Sequence, residues 1–295
     1  MLKYIGHIVA FSVMCIWGST FVSSKVLLMN GLTPSDIFFY RFLLAYIGMV
    51  IISHKKLFAD NFNDELKLFG LGLMGGSLYF MAENYALTFS PASNVSIIVC
   101  STPLYTAMIV GLFYKSERLT KRQFLFSIIA LIGMALIVMN GQWVLHISPL
   151  GDLLAFVAAF SWALYSLLIK SVSAHYDLVF ITRKVFFYGL ITILPYLFFV
   201  NPLNTDITFL FQPNIISNLL FLCIIASWGC FLTWNWVLNR IGIVNATNYI
   251  YIQSLITMLV ANIVLHERIT GMAILGTLVL IIGMIGIEKL KKVRE

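Results

Sequence analysis

Two ionisable side chains stand inside otherwise apolar segments. Arg41 lies about five residues into one such segment, and Glu83 lies about five residues from the end of the next. A charge inside a bilayer costs roughly 2.5 to 3.5 kcal/mol on insertion scales, so each needs a reason to be there. Two explanations stand open: a salt bridge that holds adjacent helices together, or a functional pair. In the second, Glu83 is a proton or cation site and Arg41 clamps a substrate anion. Aromatic and amide side chains recur at helical spacing in other segments. Trp17, Thr20 and Ser24 share one face, Tyr79 and Glu83 a second, Trp162, Tyr165 and Ser166 a third, and Tyr249 and Gln253 a fourth. In lipid such polar stripes must turn inward, where they serve either helix-to-helix hydrogen bonding or a cavity wall. Aromatic walls with a few placed polar groups suit an organic metabolite, which makes Trp17, Trp162 and Trp234 candidates with Tyr79, Tyr165, Tyr249 and Gln253.

The elements that position these residues follow from composition. The 295 residues are 60% hydrophobic and 11% charged, with a mean hydropathy of +0.94. That leaves too little polar surface for a soluble globule and predicts an all-α integral membrane protein. The net charge of +7 is spread in short clusters between apolar runs, a pattern of membrane topology and not of nucleic-acid binding. Spans of 17 to 25 apolar residues fall at about 4–28, 36–53, 66–88, 94–114, 121–140, 150–170, 180–200, 214–238, 245–265 and 270–288. With the amino terminus in the cytoplasm, sixteen of the nineteen Lys and Arg lie at the cytoplasmic face, the exceptions being Lys25, Arg41 and Arg268. Both termini are then cytoplasmic. The first run has Lys3 alone before it and no small-residue cleavage pattern, so it is expected to remain as a span.

The chain repeats. Glu117-Arg118-Leu119-Thr120 with Gly133-Met134 returns as Glu267-Arg268-Ile269-Thr270 with Gly283-Met284, and Trp17 and Lys25 return as Trp162 and Lys170. Asn84-Tyr85-Ala86-Leu87 returns as Asn235-Trp236-Val237-Leu238, 151 residues on, whereas Glu83 is matched by Trp234. Residues 1–140 and 150–295 thus read as two five-helix repeats. An odd helix count inverts the second copy, the architecture of an alternating-access carrier. Lys25 and Lys170 become symmetry mates on opposite faces, either as gates or as snorkelling interface residues. Pro103, after Ser101-Thr102, and Pro195 predict kinks in the fourth and seventh helices. Cys15, Cys100, Cys223 and Cys230 lie in apolar spans without metal-ligand spacing, and dispersed histidines with no phosphate loop leave nothing for an enzyme, so no metal and no cofactor are expected.

Ile16-Trp17-Gly18-Ser19-Thr20-Phe21, Tyr40-Arg41-Phe42, Tyr85-Ala86-Leu87 with Ser93-Asn94, and both Glu-Arg-x-Thr joints resemble the EamA-type members of the drug/metabolite transporter superfamily across the whole chain. The resemblance implies ten helices as two inverted five-helix repeats, a central cavity between them, and transport of small metabolites without ATP. The resulting expectation is a secondary carrier of amino-acid-like or related amphipathic solutes in a bacterial inner membrane. It would be a monomer or homodimer whose partners are a small-molecule substrate and membrane lipid, and any proton coupling would act through Glu83. An uncoupled facilitator or channel, and less so a membrane enzyme or receptor, stand as alternatives.

Overall fold

The computed structural model describes residues 2–53, 56–114, 120–139, 148–247 and 249–292, which form helical rods and turns with no strand among them. The rods are α1 (Leu2–Met29), α2 (Pro34–Ile52), α3 (Phe62–Gly72 and Leu78–Phe89), α4 (Ala92–Val99 and Thr102–Phe113) and α5 (Lys121–Met139). The second set is α6 (Pro149–Val172), α7 (Leu178–Phe199), α8 (Pro213–Leu220 and Cys230–Ile241), α9 (Ile250–Val264) and α10 (Gly271–Lys292). Short helices at Ile207–Leu210 and Ile243–Thr247 precede α8 and α9. Among the described residues, seven helices are long and apolar enough to cross a membrane. The Glu117-Arg118 joint and most of the turn between the halves lie outside the described residues.

Local chemistry sets the helix starts. Thr33 caps α2 by accepting from Asp36 N, the Asp36 carboxylate accepts from Thr33 N in return, and Pro34 occupies the first turn, where its missing N–H is harmless. Ser148 opens α6 by accepting from Gly151 N, with Pro149 in the first turn, and Asp177 caps α7 by accepting from Val179 N. The predicted break in α4 is present between Val99 and Thr102, and the hydroxyls beside it take up carbonyls: Ser101 Oγ donates to Ile98 O, and Thr102 Oγ1 to Val99 O and, at 3.3 Å, to Ala159 O of α6. α7 continues as helix through Pro195.

The two halves interleave. α1 packs on α8 and α9 of the other half, and α6 packs correspondingly on α3 and α4, while the mates α2 and α7, and α5 and α10, pack on one another. The repeated Gly-Met motif explains itself in the α5–α10 pair. A Cβ on Gly133 would lie 2.4 Å from Leu280 N, and one on Gly283 would lie 2.6 Å from Ala130 N, so each glycine admits the backbone of the other half. Apolar side chains such as Phe11, Ile47, Phe124, Ile132, Leu153, Phe160 and Ile282 remain exposed around the outside, as a lipid-facing surface requires.

One feature is not signalled by hydropathy. α3 is interrupted by a π-turn at Leu73–Ser77 and α8 by a longer one at Phe221–Gly229. At the 151-residue offset of the repeat, the first lies within the second. A π-turn breaks the regular hydrogen-bond ladder and frees carbonyls that must be satisfied in a lipid environment. The donors come from the opposite half: Ser161 Oγ of α6 donates to Met74 O at 2.6 Å, and Trp17 Nε1 of α1 donates to Ala226 O at 2.8 Å.

The glycine packing has a direct check. Gly283→Ala is expected to lose roughly 1–3 kcal/mol through overpacking, seen as a lower thermal midpoint in detergent. Gly271→Ala, where nothing lies within 4 Å of the added atom, serves as the control. Equal midpoints for the two variants would contradict the close-approach account.

Candidate functional site

A narrow cavity of about 20 Å³ lies where the third helices meet the first helices of the opposite halves. Its lining includes Trp17 and Thr20 of α1, Arg41 of α2, Tyr79, Phe80 and Glu83 of α3, Val99 and Thr102 at the break in α4, Trp162 of α6, Phe231 of α8, and Ile250 and Gln253 of α9. Six of the nine substrate-site residues expected from sequence therefore line one space: Trp17, Arg41, Tyr79, Glu83, Trp162 and Gln253.

The repeat mates Trp17 and Trp162 meet edge to face at 5.5 Å, so the two halves touch at equivalent residues. Tyr79 lies 4.9 Å from Trp162, and Phe231 5.8 Å from Trp17 and 5.7 Å from Trp162. These rings crowd together and leave the space between them narrow. The remaining three residues sit elsewhere. Trp234 is a buried second layer 5.3 Å behind Trp17. Tyr165 packs on Trp162 at 4.9 Å, and its hydroxyl donates to Asn235 Oδ1 at 2.9 Å. Tyr249 bonds His7 Nδ1 at 2.8 Å; His7 is ten residues before Trp17 on α1, about 15 Å at 1.5 Å per residue, so Tyr249 belongs to the end of the bundle that carries both termini.

The charged pair has an unexpected arrangement. Arg41 is 2% exposed and Glu83 1%, yet they form no ion pair within 4.0 Å. Ion pairs do form at the terminus-bearing end, among them Lys56–Asp60, Lys67–Asp64 and Lys184–Glu65. The salt-bridge explanation for Arg41 and Glu83 is thus not what the geometry contains. Arg41 instead places its guanidinium over the Phe80 ring, 4.2 Å from the centroid, and donates from Nε to Ser227 Oγ in the α8 π-turn. Arg41 Nη1 and Glu83 Oε1 are both buried without a hydrogen-bond partner. Buried charged atoms without a partner are costly to keep in apolar surroundings.

Sequence reading passed over Phe80, Phe231, Thr102 as a wall residue, and Ser227. The signal was available for two of them, since Phe80 and Phe231 are mates at the same 151-residue offset that links Asn84 with Asn235. Asn84 Nδ2 donates to Pro34 O and Asn235 Nδ2 to Thr182 Oγ1, so this repeated pair ties third helices to second helices and does not reach the cavity. Arg183, near the start of α7 as Arg41 is near the start of α2, donates to Ser53 O and Lys56 O after the end of α2.

The two lysines differ in role. Lys25 Nζ donates to Leu87 O and Ser90 O, the last carbonyls of α3, where a cation complements the helix dipole. Beside it Glu267 reaches from the α9–α10 joint to accept from Ala92 N at 3.0 Å, from Ser93 N at 3.3 Å and from Ser93 Oγ, capping α4 in the other half. The second copy of the repeated glutamate thus caps a helix of the opposite repeat. Lys170 lies over the Tyr114 ring at 4.2 Å near the terminus-bearing end. The four cysteines are free, and no cluster of metal-binding side chains occurs among the described residues.

The sequence profile of the EamA-like transporter family matches residues 4–139 and again residues 149–288. The chain belongs to the EamA-like transporter family. It is 29% identical over 285 residues to an uncharacterized transporter of Archaeoglobus fulgidus, covering 94% of this chain and 95% of that one. It is 25% identical over 288 residues to a probable amino-acid metabolite efflux pump of Escherichia coli, covering 94% and 92%. A similarly named pump of Salmonella typhimurium is 26% identical over 284 residues, covering 93% and 92%. A solved crystal structure shares the fold, with a TM-score of 0.73 at 13% identity and 99% coverage of both chains. The protein is a multi-pass membrane transporter.

The Glu267 clasp can be tested separately from transport. Glu267→Gln removes a charge-assisted cap worth about 1 kcal/mol and is expected to speed amide hydrogen exchange at Ala92 and Ser93. Unchanged exchange there would show that the cap contributes nothing.

Proposed function

We propose that this EamA-family chain is a secondary carrier of amino-acid-like zwitterions across a bacterial cytoplasmic membrane, working by alternating access without a cofactor. A single observation carries the reading: Arg41 and Glu83 line one cavity, each buried, with an unpartnered polar atom each and no ion pair between them. A zwitterion offers a carboxylate to Arg41 and an ammonium to Glu83, and so completes both buried groups at once. The aromatic rings of Trp17, Tyr79, Trp162 and Phe231 then enclose its side chain. The names of the Escherichia coli and Salmonella typhimurium relatives point to the same cargo class.

Glu83 also serves as the coupling site. In the absence of cargo, a proton neutralises the buried carboxylate and removes its desolvation cost, so protonation and binding of the ammonium compete for one group. Lys25 and its neighbour Glu267 hold the α3–α4 joint at the face opposite the termini, and Lys170 stands at the terminus-bearing end. We assign the two lysines to the gates, with the termini in the cytoplasm as the charge distribution favours.

In proteoliposomes, Glu83→Gln is expected to leave a folded protein whose transport no longer depends on pH. Retention of wild-type pH dependence would sink the proton-site assignment. Saturable counterflow of L-leucine or L-phenylalanine is the expected transport mode, whereas ion conductance without counterflow would favour a channel.

A further inference from the structure

The guanidinium of Arg41 is oriented by a residue that the repeat supplies in one half alone. Ser227 lies in the α8 π-turn, and its mate at the 151-residue offset is Gly76, in the α3 π-turn, which has no side chain to offer. Ser227 is fully buried, and its Oγ accepts from Arg41 Nε. The preceding carbonyl, Ala226 O, takes the 2.8 Å bond from Trp17 Nε1. Two cavity-wall residues from α1 and α2 are therefore anchored on consecutive residues of one π-turn.

A guanidinium binds a carboxylate through either its Nε side edge or its terminal edge. With Nε committed to Ser227 and one face covered by Phe80 at 4.2 Å, the terminal edge, which includes the unpartnered Nη1, is the one left for cargo. We propose that Ser227 is a substrate-positioning residue, which fixes the rotation of the Arg41 guanidinium so that its terminal edge selects the carboxylate of the transported solute. This rests on the assignment of Arg41 as the anion contact. Without the hydroxyl the long side chain regains its freedom and must be ordered at each binding event, a cost that falls on affinity for the carboxylate and not on other parts of the solute.

The experiment uses the full-length protein in proteoliposomes, with L-leucine and L-phenylalanine each measured beside its carboxamide. Ser227→Ala is expected to raise the half-saturation concentration for both amino acids roughly tenfold, as for loss of one charged hydrogen bond, with maximal rates and both carboxamides little changed. Ser227→Thr, which keeps the hydroxyl, restores the amino-acid values. Equal shifts for amino acids and carboxamides, or no shift for either, overturn the proposal. If Ser227→Ala does not yield folded protein, Ser227→Gly, which copies the other half, is measured against the same criteria. Arg41→Gln separates the two levels. If it abolishes the preference for the carboxylate while the Ser227 variants leave that preference intact, the Ser227 assignment alone fails. If Arg41→Gln keeps the preference, or the wild type carries none of these solutes, the assignment of Arg41 fails and takes Ser227 with it.

Discussion

Backbone carbonyls that leave a helix ladder inside a membrane must find a donor, because lipid offers none. This chain breaks its ladders at the π-turns of α3 and α8 and at the break in α4, all next to the cavity. At the two π-turns the donors are Ser161 and Trp17, each reaching from the first helix of the opposite half. The breaks that shape the cavity are thus also the bonds that join the halves. Any movement of one half against the other would have to exchange these bonds.

The same logic governs the charged residues. A guanidinium and a carboxylate buried in one cavity would gain most by pairing, yet Arg41 is taken by a ring and a hydroxyl while Glu83 is left with an unpartnered oxygen. Keeping them apart costs stability. Charge where pairing serves stability lies elsewhere, as in Lys184 with Glu65 and the Lys25 and Glu267 contacts at the α3–α4 joint.

Much of the architecture was legible because it rests on one-dimensional rules. Span length follows from bilayer thickness, and the recurrence of Trp17 as Trp162 and of Gly133 as Gly283 exposes the repeat. The π-turns were not legible, since neither Leu73–Ser77 nor Phe221–Gly229 interrupts the apolar run. Tyr249 shows the opposite limit: it shares a helical stripe with Gln253, but it stands about one turn nearer the end that carries the termini, where its hydroxyl turns to His7 while Gln253 lines the cavity.

The sequence by itself determined the class, the helices and the inverted repeat, because hydropathy and periodicity are properties of residue order. It also marked Arg41 and Glu83, because charge in an apolar segment is visible without coordinates. Tertiary structure decided whether that charge is paired. It set Phe80 and Ser227 on Arg41, left Glu83 facing the cavity, and placed Trp234 and Tyr165 behind the wall. Such choices depend on helix rotation and on the offset introduced by a π-turn. Both change which side chains meet across a helix interface without changing the order of residues along the chain.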